Sequence, residues 1–215
     1  MACAHALAAE DERIKVFPFE KGERNGEAHR DTVLRQASGR LVAQIADDDL
    51  WFPNHLQEVG RLLTQHHFGN LPQPLMRPDG LLSVVFGDLG RAPTRNSMLD
   101  SAWNVFGPSF AGYRMKTYLA LAQGWSPAPP EVASDLFMWR KFLSHPGIVC
   151  GTRVAVTGIH LSSESRAQMS LEARAAETKA LAEEMAGVLH RDMISQRVLR
   201  AISSPNPRPF EPPEG

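Results

Sequence analysis

A chain of 215 residues, 43% hydrophobic and 22% charged, has the make-up of a soluble globular protein, long enough for one large domain or for one domain with an appendage. Its formal net charge of −1 gives no electrostatic ground for binding nucleic acid or an anionic membrane, and no apolar run approaches the roughly 18 to 20 residues that span a bilayer. Two distant cysteines, Cys3 and Cys150, lack metal-ligand spacing and read as free thiols. With no signal-peptide pattern at the start, a cytoplasmic location is expected.

In chain order, the alanine-rich "CAHALAAEDER" reads as a helix ending near Glu12, and the alternating "RIKVFPF" (13–19) as a strand. "EKGERNGEA" is a loop. "HRDTVLRQAS" places Val33, Leu34 and Ala37 at helical spacing, with Gly39 as a C-cap. "RLVAQIA" (40–46) is a second strand, running directly into Asp47, Asp48 and Asp49. Pro53 and Asn54 then open a helix with Leu56, Val59, Leu62 and Leu63 on one face.

"LLSVVFGDLG" reads as a strand, 93–110 as a loop with weak strands, and "YRMKTYLALAQG" as a helix. In "ASDLFMWRKFLSHPG", Ser134 is a candidate cap for an amphipathic helix carrying Leu136, Phe137, Trp139, Phe142 and Leu143. "TRVAVTGIHLSS" reads as another strand. From Ser165 to about Ile202 the charged, helix-favouring sequence suggests two helices broken near Gly187, docking through Leu171, Ala175, Leu181, Met185 and Val188. The proline-rich end reads as a disordered or extended tail. Strands alternating with helices over short connections predict an α/β fold, a mostly parallel sheet flanked by helices, with a C-terminal helical extension.

In a parallel α/β sheet the ligand site lies beyond the carboxyl ends of the strands, which is where "RLVAQIADDD" delivers its acids. Carboxylate oxygens suit Mg²⁺ or Mn²⁺, ions that keep several waters and bridge to a substrate's phosphates. Asp47 and Asp49 have the D-x-D spacing that brings two oxygens near one ion. The alternative is a solvated acidic turn with Asp49 near a helix start, where the dipole favours it. Trp51 is expected to pack under that turn.

The segment "ASGRLVAQIADDDLWFPNHLQEV" resembles the family 2 glycosyltransferase stretch A-x-G-x-Y-[IV]-A-x-L-D-x-D-D-x-W-x-P-x-H-L. Upstream, "DERIKVFPFEKGERNGEAHRDTVLRQASG" is similar to that family's D-P-R-I-x-V strand, glycine-containing loop and A-R-N-x-G-L helix. Downstream, "SDLFMWRKFL" resembles its E-D-x-D-L-W-x-R helix, and "FAGYRMKTY" its acceptor-side segment. The resemblance covers residues 10 to 160 and implies a GT-A-like (Rossmann-like) fold that binds a nucleotide-sugar.

It further implies that Asp47 and Asp48 contact the nucleotide's ribose and diphosphate, and that Asp47 and Asp49 hold Mn²⁺ or Mg²⁺, with His160 of "TGIHLSS" as a further metal or phosphate ligand. Counted back from Pro53, the family's leading aspartate falls on Ala46; either the motif is shifted by one residue or one ligand is missing. Arg30 stands at the arginine of A-R-N, with Asp31 at its asparagine, and is implied to contact the donor. Asp135 stands at the aspartate of the E-D helix, with Ser134 in place of its glutamate, and is implied as the general base. The implied partners are a nucleotide-sugar donor and a saccharide or glycan acceptor; no nucleic acid is implied, and a homo-oligomer stays open.

The family's domain normally opens with a strand-helix-strand unit that clasps the nucleobase, and this sequence begins after it. The expected divisions are therefore a truncated GT-A-like domain at 1–162, the helical extension at 163–203 and the proline-rich tail at 204–215. The leading expectation is a metal-assisted glycosyltransferase moving a sugar onto a hydroxyl. The rival is a non-catalytic GT-A remnant that serves as a binding or assembly module.

Overall fold

A computed structural model describes residues 2–204, so the proline-rich end from residue 205 onward lies outside the described residues. Helices α1 (Ala2–Glu10) and α2 (Glu27–Gln36) come first, followed by β1 (Leu41–Ala43), β2 (Leu50–Trp51) and α3 (His55–Gln65). Strands β3 (Phe68–Asn70), β4 (Gln73–Met76) and β5 (Leu82–Val85) lead to α4 (Ala92–Asp100), β6 (Ala111–Arg114) and α5 (Met115–Ala120). The chain ends with α6 (Ser134–Leu143), β7 (Cys150–Thr152), β8 (Gly158–Ile159), α7 (Leu171–Ala186) and α8 (Val188–Ser203).

The fold is mixed α/β, but the sheets are small and not mostly parallel. The main sheet has the order β1-β6-β3-β7; β6 runs antiparallel to both β1 and β3, and only β3–β7 is parallel. The cause lies in the connections. The chain between β3 and β6 forms the β4–β5 hairpin and α4 rather than one crossover helix, and it re-enters the sheet at the end where β3 left it, Ala111 opposite Asn70.

Alternation along these strands creates two faces. Phe68 and Tyr113 point to a core with Phe106, Trp139 and Phe142, where the Phe68 and Phe142 rings stack 4.5 Å apart. Gly112 faces α3, which lies so close that a Cβ there would meet the Val59 side chain at 2.7 Å. Val59, Leu62 and Leu63 form the buried stripe of α3 expected from their spacing, while Leu56 is 62% exposed.

A second lobe holds β2–β8 and the β4–β5 hairpin, both antiparallel. Backbone bonds from His160 N–H to Pro74 (2.7 Å) and from Met76 N–H to His160 (3.0 Å) join the two pairs. Helices α7 and α8 separate at Gly187 and cover this lobe, placing Met185, Ile194 and Val198 on Phe52, Met76, Val156, Ile159 and Leu161. Leu181 packs at the margin, whereas Leu171 and Val188 point to solvent, so the expected docking stripe is narrower on α7 and continues onto α8. Arg166, 3% exposed, pairs bidentately with Glu177 at 2.6 and 2.7 Å and donates to the Met76 carbonyl at 3.1 Å.

Other expectations change as well. "RIKVFPF" forms no strand; Ile14, Phe17 and Phe19 are exposed, and Phe19 stacks on the His29 ring at 4.4 Å. A β-prone segment needs a neighbour to take its backbone bonds, and none pairs with it among the described residues. The stretch read as loop contains α4, which buries Met98 and is held to α6 by Arg140 donating to the Met98 carbonyl at 2.9 Å. Ser134 is the first residue of α6 rather than its cap, which is Ala133. Cys3 and Cys150 are free thiols. Among the described residues no helix is long and apolar enough to cross a membrane.

Candidate functional site

The acidic run occupies the turn between β1 and β2, where the chain leaves the main sheet for the second lobe. Two bonds from one residue anchor the turn. Ser109 accepts the Ala46 N–H on its hydroxyl at 2.9 Å and the Trp51 indole N–H on its carbonyl at 2.8 Å. Trp51 lies flat on the His55 ring, centroids 4.0 Å apart. His55 is buried against Trp51 and Thr157, and burial lowers its pKa to about 4, so near neutral pH it adds no charge beneath the acids.

The three carboxylates sit in three environments. Asp47 is exposed. Asp48 accepts the Ser163 hydroxyl at 2.5 Å. Asp49 is buried, and its Oδ1 is bonded to His160 Nδ1 at 2.7 Å and to the Leu161 N–H at 3.1 Å. Burial opposes its ionisation most strongly, yet His160, the Ser109 hydroxyl and the Leu161 N–H together outweigh it and hold the carboxyl below the ordinary range. The β2–β8 pairing, Leu50 opposite Ile159, brings Asp49 and His160 side by side across 111 residues of chain.

In kind, the carboxylate oxygens suit Mg²⁺ or Mn²⁺, whereas the imidazole nitrogen suits later transition ions better than Mg²⁺. In number the fit is partial, because no group of three metal-binding side chains converges among the described residues. One or two protein ligands suffice, however, for an ion that also bridges substrate phosphates. A carboxylate bonded to one imidazole nitrogen also orients the other nitrogen, a common arrangement behind metal-binding histidines.

Asp135 stands at the start of α6 in a separate pocket of polar groups. Its Oδ1 accepts the Leu136 N–H and its Oδ2 the Asn104 amide, each at 2.8 Å. Burial raises its pKa, and these bonds, with the nearby charge of Arg30, offset only part of that rise. Arg30 projects from α2 with its guanidinium 4.3 Å above the Trp125 ring. Its neighbour Asp31 is taken up by the Tyr118 hydroxyl and by Arg35 at 2.8 Å.

Asp49 is thus paired with His160, Arg30 lies near Asp135, and the loop from Asn104 to Ser109 touches both groups. Asn104 and Ser109 went unnoticed in the sequence, as did His55 within "PNHL". The available signal was a pair of small polar residues inside the apolar run "WNVFGPSF". A groove of about 870 Å³ beside β1 is lined by Leu41, Leu63, Met115 and Leu119 and holds none of the candidate residues. Arg40, Arg114 and Lys116 also line it, with Arg114 bonded to the Leu63 and Thr64 carbonyls.

No protein-family model and no curated protein matches the chain. Among solved structures it is similar to Staphylococcus aureus TarS residues 1–349, at 15% identity and a TM-score of 0.49, covering 96% of this chain and 60% of that one. A second TarS crystal structure gives 17% identity and a TM-score of 0.48, over 93% and 36%. The chain therefore spans less than two thirds of the TarS chains it matches. Likenesses of this size add no weight to the reading of the site, which rests on its own geometry.

Proposed function

We propose that the chain is a GT-A-type glycosyltransferase that moves a sugar from a nucleotide-sugar donor to a hydroxyl of a saccharide or related acceptor. The observation that carries this reading is the Asp49–His160 contact at 2.7 Å. It joins the end of the acidic run to a distant histidine, the two residues that the sequence resemblance implies as ligands of one ion. Asp49 and His160 would hold Mn²⁺ or Mg²⁺; Asp47, exposed on the same turn, does not converge with them as a third ligand. Such an ion, when bound, supplies positive charge against which a diphosphate departs.

The remaining roles belong to the chain's own residues. Asp135 receives the proton of the acceptor hydroxyl; a carboxylate whose pKa burial has raised is a stronger base than an exposed one. Arg30, seated on Trp125, places a fixed positive charge near Asp135 for the donor. Asp48 offers a second carboxylate for the ribose, held at the turn by Ser163. The absence of a third converging metal-binding side chain among the described residues favours one rival, a binding or assembly module that keeps the scaffold without catalysis.

Calorimetric titration with UDP and with GDP, with and without Mn²⁺, separates the two. The transferase reading requires nucleotide binding that depends on Mn²⁺ and is lost in Asp49→Ala. No binding of either nucleotide by the folded chain leaves the module reading.

A further inference from the structure

Asn104 lies in the loop that follows α4 and touches the first residues of α6. Its side-chain amide makes a single hydrogen bond, Nδ2 to Asp135 Oδ2 at 2.8 Å. Its Oδ1 is buried and has no partner among the described residues. An asparagine kept only for packing would be expected to satisfy both ends of its amide, because buried polar atoms without partners are rare. Turning the amide over would set its oxygen against a carboxylate oxygen, so the bond to Asp135 dictates the orientation that strands Oδ1.

We propose that Asn104 is a positioning residue for Asp135: its amide fixes one carboxylate oxygen and favours the ionised form, while Leu136 N–H fixes the other. The inference rests on the reading of Asp135 as the base that accepts the proton of the acceptor hydroxyl. Around that carboxylate the charged group is Arg30 of α2, and the donors are Asn104, the Leu136 N–H and the Asp135 N–H. Removal of the amide leaves burial opposed by fewer groups, so Asp135 holds its proton to higher pH. A Cβ at Gly107, in the same loop, would lie in ordinary contact with Gln73 Oε1 at 3.4 Å and Asp135 Oδ2 at 3.8 Å.

The test is titration of the Asp135 carboxyl carbon by NMR in the full chain, in the wild type, in Asn104→Ala and in Asn104→Asp. The midpoint is expected about one pH unit higher in Asn104→Ala, the size of one hydrogen bond to a charged group. Asn104→Asp keeps the shape, replaces the donor with a second carboxylate and should move the midpoint up further. It carries the test if the alanine variant does not fold. An Asp135 midpoint unchanged in a folded variant overturns the inference. Mn²⁺-dependent nucleotide binding, which belongs to Asp49, should be the same in wild type and Asn104→Ala. Its absence from the wild type counts against the transferase reading and leaves the titration to judge Asn104.

Discussion

Asp49 and Asp135 are the same side chain drawn out of bulk water in two parts of one molecule, and their proton affinities move in opposite directions. At Asp49 burial is outweighed by His160, Ser109 and the Leu161 N–H, and the carboxyl titrates below its ordinary value of 3.8. At Asp135 burial prevails over the Leu136 N–H, Asn104 and Arg30, and the carboxyl titrates above it. Number and strength of partners separates a standing anion from a proton acceptor, and carboxylates driven apart in this way are the usual mark of divided roles. On the proposed transferase reading, the anion would serve the cation and diphosphate and the acceptor the attacking hydroxyl.

Substitutions at the two positions should break or sharpen this contrast. The largest effect is expected for Asp135→Asn. Loss of a general base lowers the transfer rate by about 10²–10⁴-fold, read as nucleoside diphosphate released from a panel of nucleotide-sugars. A variant as fast as wild type on an accepted donor would remove Asp135 from the reaction.

Asp49→Asn should destabilise the metal-free fold at pH 7 by about 1–3 kcal/mol, the cost of weakening a buried charged hydrogen-bond centre. Because the folded pKa is depressed, this contribution is present above 3.8 and disappears as pH falls through the lower folded value. Urea denaturation of both proteins at pH 7 and in acid reads the difference, and equal stabilities at pH 7 would contradict the assignment of Asp49 as a well-held anion. Ser109→Ala removes the hydroxyl that takes the Ala46 N–H and supports Asp49. A cost of about 1 kcal/mol is expected in the same assay.

The smallest effect carries the opposite sign. Asp135→Asn removes a carboxyl whose ionisation the fold disfavours, so at pH 7 the variant should match or slightly exceed the wild type in stability. The wild type recovers as pH falls through the raised folded pKa, and the advantage is gone below 3.8. A variant that loses both activity and stability at pH 7 would mean that Asp135 is a structural anion like Asp49.

Much of the local order could be read before the fold was known. Helices α2, α3 and α6 follow from apolar residues at helical spacing, the break at Gly187 from composition, and the acidic turn from three adjacent aspartates. Strand direction could not be read, since "RLVAQIA" is equally compatible with a parallel or an antiparallel neighbour. Helix α4 was hidden because "PTRNSMLD" has no apolar stripe, and packing of Met98 rather than propensity holds it. "RIKVFPF" shows the reverse failure, a strong strand pattern with no pairing neighbour among the described residues.

For the candidate site, the sequence alone determined which residues carry charge and in what local order, because D-x-D spacing, an aspartate at a helix start and an arginine on a helix are properties of neighbouring positions. Only the tertiary structure decided that Asp49 meets His160 across 111 residues, that Asn104 turns its amide to Asp135, and that the two carboxylates shift in opposite directions. Those outcomes depend on desolvation and on donors brought in from distant segments, and no window along the chain contains either quantity.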